Sequence, residues 1–173
     1  MTPPHPDLRI EALASHHDRE AFSCGIDSLD RYLCTQASQD VRRKTNAVFI
    51  LVGAARPDVV LGFYTLCATA LAPGEVPTAA RKHIPRYPLV SATLIGRLAV
   101  AQARQGERLG AMLLADAVRR AFASASSVGS SMLVVDAVDE CAASFYAGNG
   151  FMRLPDSLRL VLPMQTIGKM LAP

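Results

Sequence analysis

The chain has 173 residues, half of them hydrophobic and 19% charged. That length fits one domain, and that composition suits a compact core and argues against disorder. The net charge of +3 excludes a strongly acidic module and does not by itself identify a nucleic-acid partner.

From the N-terminus, "DLRIEAL" alternates apolar and polar residues and predicts a first strand. "FSCGIDSLDRYLCTQASQDVRRK" follows; Asp27 is expected to cap a helix with Leu29, Tyr32, Leu33 and Ala37 on its inner face. Arg42, Arg43 and Lys44 at its end suit the negative pole of a helix. "NAVFILVGA" and "VVLGFYTLCATAL" read as strands close enough to form an antiparallel hairpin. Prolines break "APGEVPTAARKHIPRYPLV", leaving room for one short helix around residues 79–83. "SATLIGRLAV" predicts a strand. "GERLGAMLLADAVRRAFASAS" predicts a long helix with Leu109, Leu113, Ala117 and Phe122 on one side. "SSMLVVDAV" is a further strand, and "DECAASFYAGNG" a short helix that Asp139 caps and a glycine ends. Two strands, "FMRL" and "SLRLVLPM", and a tail helix, "MQTIGKML", complete the chain. The order is β-α-β-β-loop-β-α-β-α-β-β. The strand–turn–helix–strand in the middle implies a parallel pair joined by a crossover helix, within a single domain over residues 1–173.

Cys24, Cys34, Cys67 and Cys141 show no C-x-x-C spacing and read as small buried hydrophobes in a reducing compartment. His16 and His17 are adjacent and would face apart on a helix, so no metal site is expected from His5, His16, His17 and His83. The longest apolar run, "AVFILVGAA", is far short of the roughly 20 residues a membrane-spanning helix needs. The N-terminus carries prolines and charges instead of an apolar signal core, so a cytoplasmic protein is expected.

The chemistry concentrates in "RLAVAQARQGERLGAMLLADAVRRAF". A crossover helix that starts directly after a strand presents unpaired N–H groups and a positive dipole end, which attract phosphate. Gly106, Gly110 and Ala111 would let a diphosphate approach the backbone, and Gln105 could donate a side-chain hydrogen bond. The turn is neither G-x-G-x-x-G nor G-x-x-x-x-G-K-[ST], so neither a dinucleotide fold nor a nucleoside triphosphatase fits. One strand and one helix downstream, "ASFYAGNGF" sets Phe145 and Tyr146 at the end of a short helix.

Together these segments resemble the GNAT family of acetyl-CoA-dependent N-acetyltransferases. More specifically, "FSCGIDSLDRYLCTQASQD", "LGFYTL", "IPRYPLVSATLIGRLAV" and "VDAVDECAASFYAGNGF" resemble, in order and spacing over about residues 8–163, the GNAT toxins of bacterial toxin–antitoxin pairs. The resemblance implies an α/β GNAT fold: a mixed, mostly antiparallel sheet with a parallel pair at the acetyl-CoA cleft and helices on both faces. It implies that Leu98, Ala99, Val100, Gln105, Gly106, Glu107, Arg108, Leu109, Gly110, Ala111 and Phe145 hold acetyl-CoA, and that Tyr146 stands beside the thioester sulfur as general acid. An unperturbed tyrosine near 10 and a thiol near 8.5 would make that proton return inexpensive. Arg108 stands where the family's turn has its first glycine; the position is expected to be helical and not left-handed, which a side chain tolerates.

The resemblance further implies acetylation of the α-amine of aminoacyl-tRNA, which blocks translation, and neutralisation by a ribbon–helix–helix antitoxin. Family members of this kind are often dimers. An α-amine needs no strong base, being about a tenth neutral at pH 7. Asp136, Asp139 and Glu140 read as structural. Arg42, Arg43, Lys44 and Arg86 are candidate RNA contacts, and Arg97, in the strand before the turn, is expected to line the cleft or touch RNA. Two other readings stay open: an acetyltransferase of a protein N-terminus or small amine, and a GNAT-like binding module without activity.

Overall fold

The computed structural model describes residues 7–84 and 86–173. Strand β1 (Leu8–Ala12) pairs antiparallel with β2 (Ala47–Gly53), and β2 antiparallel with β3 (Gly62–Leu71). Strand β4 (Val90–Val100) runs parallel to β5 (Met132–Asp136). Strand β7 (Arg159–Pro163) pairs antiparallel with both β5 and β6 (Met152–Arg153). The sheet order is β1-β2-β3-β4-β5-β7-β6. This is the mixed sheet with one parallel pair that the element order predicts.

Contacts divide the chain into two compact units. The first is built from the residues up to Leu66 together with Arg97–Ala117. Its core joins Phe22, Tyr32, Leu33, Val48, Ile50, Phe63 and Ala99. Phe22 meets Phe63 edge-on at 5.6 Å between ring centroids, and Tyr32 lies nearly parallel to Phe63 at 6.3 Å. The helical stretch here is not one helix. Helix α1 (Asp27–Arg31) passes through a π-helical turn, Tyr32–Gln36, into α2 (Ala37–Arg43). Asp27 does not cap it. The extended residue before α1 is Ile26, without a side-chain cap, and the nearby carboxylate that captures a backbone N–H is Asp30, which accepts from Cys24 at 2.8 Å. Lys44 ends α2 in the left-handed conformation, φ 61.

The second unit comprises Cys67–Gly96 and Val118–Pro173. Its core gathers Leu71, Val76, Ala80, Val90, Met132, Val134 and Val161. Two 3-10 turns, Pro73–Glu75 and Thr78–His83, occupy the proline-rich stretch. Helix α4 (Glu140–Gly148) is capped as expected: Asp139 accepts the Ala142 N–H at 2.8 Å. The tail helix is α5 (Met164–Leu171), with Ile167 buried.

Helix α3 (Leu109–Ser124) buries Leu109, Leu113, Ala117 and Ala121. The expected inner-face residue Phe122 is instead 36% exposed, because the i, i+4 row from Leu109 reaches Ala121. All four cysteines are free thiols, but their burial differs from expectation: Cys24 alone is buried, and Cys141 is exposed. Among the described residues no helix is long and apolar enough to cross a membrane.

Gly62 decides how closely β3 approaches β4 and α3. A Cβ there would lie 2.9 Å from the Ala99 carbonyl oxygen and 2.9 Å from Leu113 Cδ1. The Tyr64 hydroxyl, on the same strand, donates to Asp116 of α3 at 2.6 Å. Since one neighbour is backbone, the chain cannot yield by a rotamer change alone. Gly62→Ala should therefore lower stability by about 1–3 kcal/mol, the usual cost of overpacking, which a denaturant melt reads as a reduced midpoint at unchanged slope.

Candidate functional site

The ladder between β4 and β5 ends at Ile95 and Val135, while β4 itself continues to Val100. Leu98, Ala99 and Val100 thus lie on the part of β4 past that ladder. Next come Ala101, whose N–H donates to Leu61 at 2.8 Å, a 3-10 turn at Gln102–Arg104, and the turn into α3. Gly106 has φ 89 and Arg108 has φ 61, so the chain passes twice through the left-handed region within three residues. The Arg108 carbonyl accepts the Met112 N–H at 3.3 Å, which makes Arg108 the residue that opens α3. The N–H groups of Leu109, Gly110 and Ala111 then belong to the first turn, which has no intrahelical acceptors. A left-handed residue followed by right-handed ones curls successive N–H groups into a concavity that suits an anion.

Two expectations for this turn are corrected. Arg108 is left-handed, not helical. A side chain there costs about 1 kcal/mol, and glycine would avoid it. Gln105 has no donor to spare for a diphosphate: its amide donates to the Cys24 carbonyl at 3.0 Å and the Val100 carbonyl at 3.3 Å. It braces the turn from inside. Glu107 is likewise engaged, paired with Arg104 at 2.6 Å. The Arg108 side chain is exposed and makes no hydrogen bond or ion pair with the described residues.

Phe145 and Tyr146 sit in the last turn of α4. The Tyr146 ring is only 6% exposed, wedged edge-to-face against Phe145 at 5.1 Å and Phe151 at 5.7 Å. The helix end is held by Asn149, whose amide donates to the Phe145 carbonyl at 2.7 Å, and by Gly150 at φ 97. The ring is thus a core element, and its hydroxyl makes no hydrogen bond with the described residues. Burial pushes the phenol up to about 12.

The acids nearby each have a structural partner. Asp136 pairs with Arg159 through contacts of 2.7 and 3.0 Å, Asp139 caps α4, and Glu140 pairs with Arg153 at 2.6 and 2.8 Å. Of the basic candidates, Arg42, Arg43, Lys44 and Arg86 are exposed. Arg97 differs: it is half-buried, with its guanidinium carbon 3.5 Å from the centroid of the Tyr32 ring.

One cluster was not anticipated. His16 and His17 lie in a turn and not on a helix, and both converge on Glu11, at 3.2 and 2.8 Å. His17 Nδ1 accepts the Ala14 N–H at 3.0 Å. Its Nε2 therefore carries the hydrogen and donates to Glu11. That bond, the largest influence, and the neighbouring Arg9 and His16 hold the Glu11 carboxyl down at about 2. A metal would need the Nε2 lone pair and would force a hydrogen onto Nδ1, against the Ala14 N–H. The trio braces the turn.

Arg108→Gly should raise stability by about 1 kcal/mol, seen as a higher melting temperature, whereas Arg108→Ala keeps the Cβ and should show no such gain. A melting temperature unchanged or lowered by the glycine would show that the arginine side chain contributes more than its backbone conformation costs.

No family model matches the chain. A tRNA-acetylating toxin of Mycobacterium tuberculosis is 34% identical over 149 residues, which span 86% of this chain and 87% of the relative. Among solved structures, AtaT complexed with acetyl-methionyl-tRNAfMet matches with a TM-score of 0.87 at 30% identity, covering 96% of this chain and 100% of that one. AtaTR bound with AcCoA matches with a TM-score of 0.84 at 30% identity, covering 96% of this chain and 99% of that one. By sequence, by fold and by the strand–turn–helix at Leu98–Ala111, the chain belongs to the tRNA-acetylating toxins of the GNAT fold.

Proposed function

We propose that this chain, as a single cytoplasmic acetyltransferase domain, moves the acetyl group of acetyl-CoA to the α-amine of the amino acid carried on tRNA, so blocking translation, and is neutralised by a ribbon–helix–helix antitoxin. The observation that carries this reading is the Tyr146 hydroxyl: it is fixed by a packed ring and a capped helix end, yet has no hydrogen-bond partner among the described residues, in a chain of this family.

Acetyl-CoA supplies an activated acyl group on a thioester and a diphosphate to hold. The concave N–H groups of Arg108–Ala111 fit the diphosphate, with small residues Gly110 and Ala111 leaving room. The N–H of Val100, on the opposite edge of β4 from the Ala101 N–H that donates to Leu61, would donate to the carbonyl oxygen as it gains charge. The amine nitrogen bonds to the carbonyl carbon, and the carbon–sulfur bond breaks. Tyr146 gives its proton to the departing sulfur and takes back the one that nitrogen sheds, so the hydroxyl is regenerated.

Burial changes the cost of that step. Against a thiol near 8.5, a phenol near 12 makes complete transfer to sulfur uphill by about 5 kcal/mol, compared with about 2 for an unperturbed tyrosine. Tyr146 therefore shares its proton with sulfur while nitrogen releases its own, and does not ionise ahead of it. The occupied acids fit an α-amine acceptor too. With Asp136, Asp139 and Glu140 engaged, none is left as a dedicated base for a lysine amine near 10.4.

Label from acetyl-CoA should appear on bulk aminoacyl-tRNA and not on deacylated tRNA. Label on protein alone would turn the reading to a protein N-terminus, and absence of acetyl-CoA binding by calorimetry would turn it to an inactive binding module. Tyr146→Phe should reduce transfer by about 10²–10⁴ while calorimetric affinity for acetyl-CoA stays within about twofold; full activity in this variant would falsify the acid role. The rate should rise with pH as the amine deprotonates near 7.7–8.0. It should then stay flat to at least pH 10, because Tyr146 keeps its proton until about 12.

A further inference from the structure

Arg97 occupies the residue before Leu98–Ala99–Val100 on β4. A guanidinium whose face lies on an aromatic ring keeps its five N–H donors in its own plane, directed away from the ring. No acid is paired with Arg97 among the described residues, so the cation arrives at the site with its charge and donors unspent. Its seat is built with care. The Tyr32 ring is 6% exposed and backed by Phe63. The Tyr32 hydroxyl donates to Asp40 at 2.8 Å, and Asp40 also accepts from Gln36 at 3.0 Å and Asn46 at 2.9 Å. These bonds, with Gln36 the largest influence, hold the buried Asp40 carboxyl down at about 2, so it is ionised at neutral pH. A phenol that donates to a carboxylate carries more negative charge on its ring face, which strengthens its hold on the cation.

Two phosphate sources are available in the reaction. On that reading the diphosphate of acetyl-CoA sits on the N–H groups of residues 108–111, whereas Arg97 lies upstream on β4. From residue 97 to 100 alone the strand spans roughly 10 Å. The anion nearest the acyl end is on the acceptor. Resting on the functional reading above, we infer that Arg97 is the residue that binds the phosphodiester next to the terminal aminoacyl-adenosine of tRNA. Tyr32 and Asp40 are positioning residues that hold and tune it.

The test compares aminoacyl-tRNA with 3′-O-aminoacyl adenosine, which carries the same amine and no phosphodiester. For Arg97→Ala and Arg97→Gln, KM for aminoacyl-tRNA should rise about tenfold or more, as expected for a lost charged hydrogen bond, with little change in kcat or in KM for acetyl-CoA. The loss with the adenosine acceptor should be under about threefold. Arg97→Lys should fall between, keeping charge without the planar fork. The slope of log affinity against log salt for aminoacyl-tRNA should fall by about 0.7 for one lost contact on a single strand. Asp40→Asn and Tyr32→Phe should each raise the same KM by a smaller factor, and together no further than either alone. Equal losses on both acceptors, or an unchanged salt slope, overturn the phosphate contact while the acetyltransferase reading stands. A wild-type protein that acetylates neither acceptor overturns that reading and this inference with it. Circular dichroism of Arg97→Gln and Arg97→Lys separates lost contact from lost fold.

Discussion

The passage from β4 into α3 governs this molecule. Between the end of β4 at Val100 and the start of α3 at Leu109 the chain must change course, and two left-handed residues, Gly106 and Arg108, make the last turn into the helix. Everything around them fixes it in place. Gln105 reaches back to the carbonyls of Cys24 and Val100, Arg104 and Glu107 close on one another, and Leu109 is buried at the first step of the helix. Once α3 starts at this point, its unpaired N–H groups suit an anion, and they are the place proposed for the diphosphate. The strain at Arg108 is tolerable because so many contacts over-determine the backbone.

Burial does a second piece of chemistry. The packing that fixes Tyr146, on Phe145 and Phe151, is the same packing that raises its pKa. A more exposed tyrosine would be a stronger acid but a less fixed one. For a reaction whose main requirement is to place an amine against a thioester, fixation is worth more than acidity. In the role proposed for Tyr146, a proton that nitrogen must lose in any case replaces the one given to sulfur. The acceptor chemistry is consistent with this economy: an amine already partly neutral at physiological pH needs position more than it needs a base.

Much of this was legible in the residues because it is local. Hydrophobic alternation marks β1, β2 and β5, Asp139 announces α4, and a glycine-containing turn between "LAV" and an amphipathic run marks the proposed anion site. What stayed hidden depends on contacts distant in sequence. Nothing in "QGERLG" says that Gln105 will turn inward, since its partner Cys24 is 81 residues away. The left-handed Arg108 was hidden because arginine is a poor marker of that conformation; the glycine usual at the position was the better guide. The adjacency of His16 and His17 hides their turn, which brings both to Glu11 and which His17 helps close by accepting the Ala14 N–H and donating its own backbone N–H to the Ala14 carbonyl.

The π-helical turn shows the same point in the helix itself. The apolar spacing of Leu29, Tyr32, Leu33 and Ala37 suits a regular α-helix, and it led to the expectation of one. At about 100° per residue, position i+7 returns to within about 20° of i, while i+8 lies about 80° around the helix. Tyr32 and Asp40 are eight apart, so a regular helix would keep the hydroxyl from the carboxylate. The π turn at Tyr32–Gln36 takes up one extra residue. Asp40 thereby gains the position that i+7 would hold, and the 2.8 Å bond closes. The irregularity is therefore not a defect between α1 and α2. It is what sets an ionised carboxylate at the hydroxyl end of the ring on which Arg97 rests, and it links a local backbone choice to the charge presented beside β4.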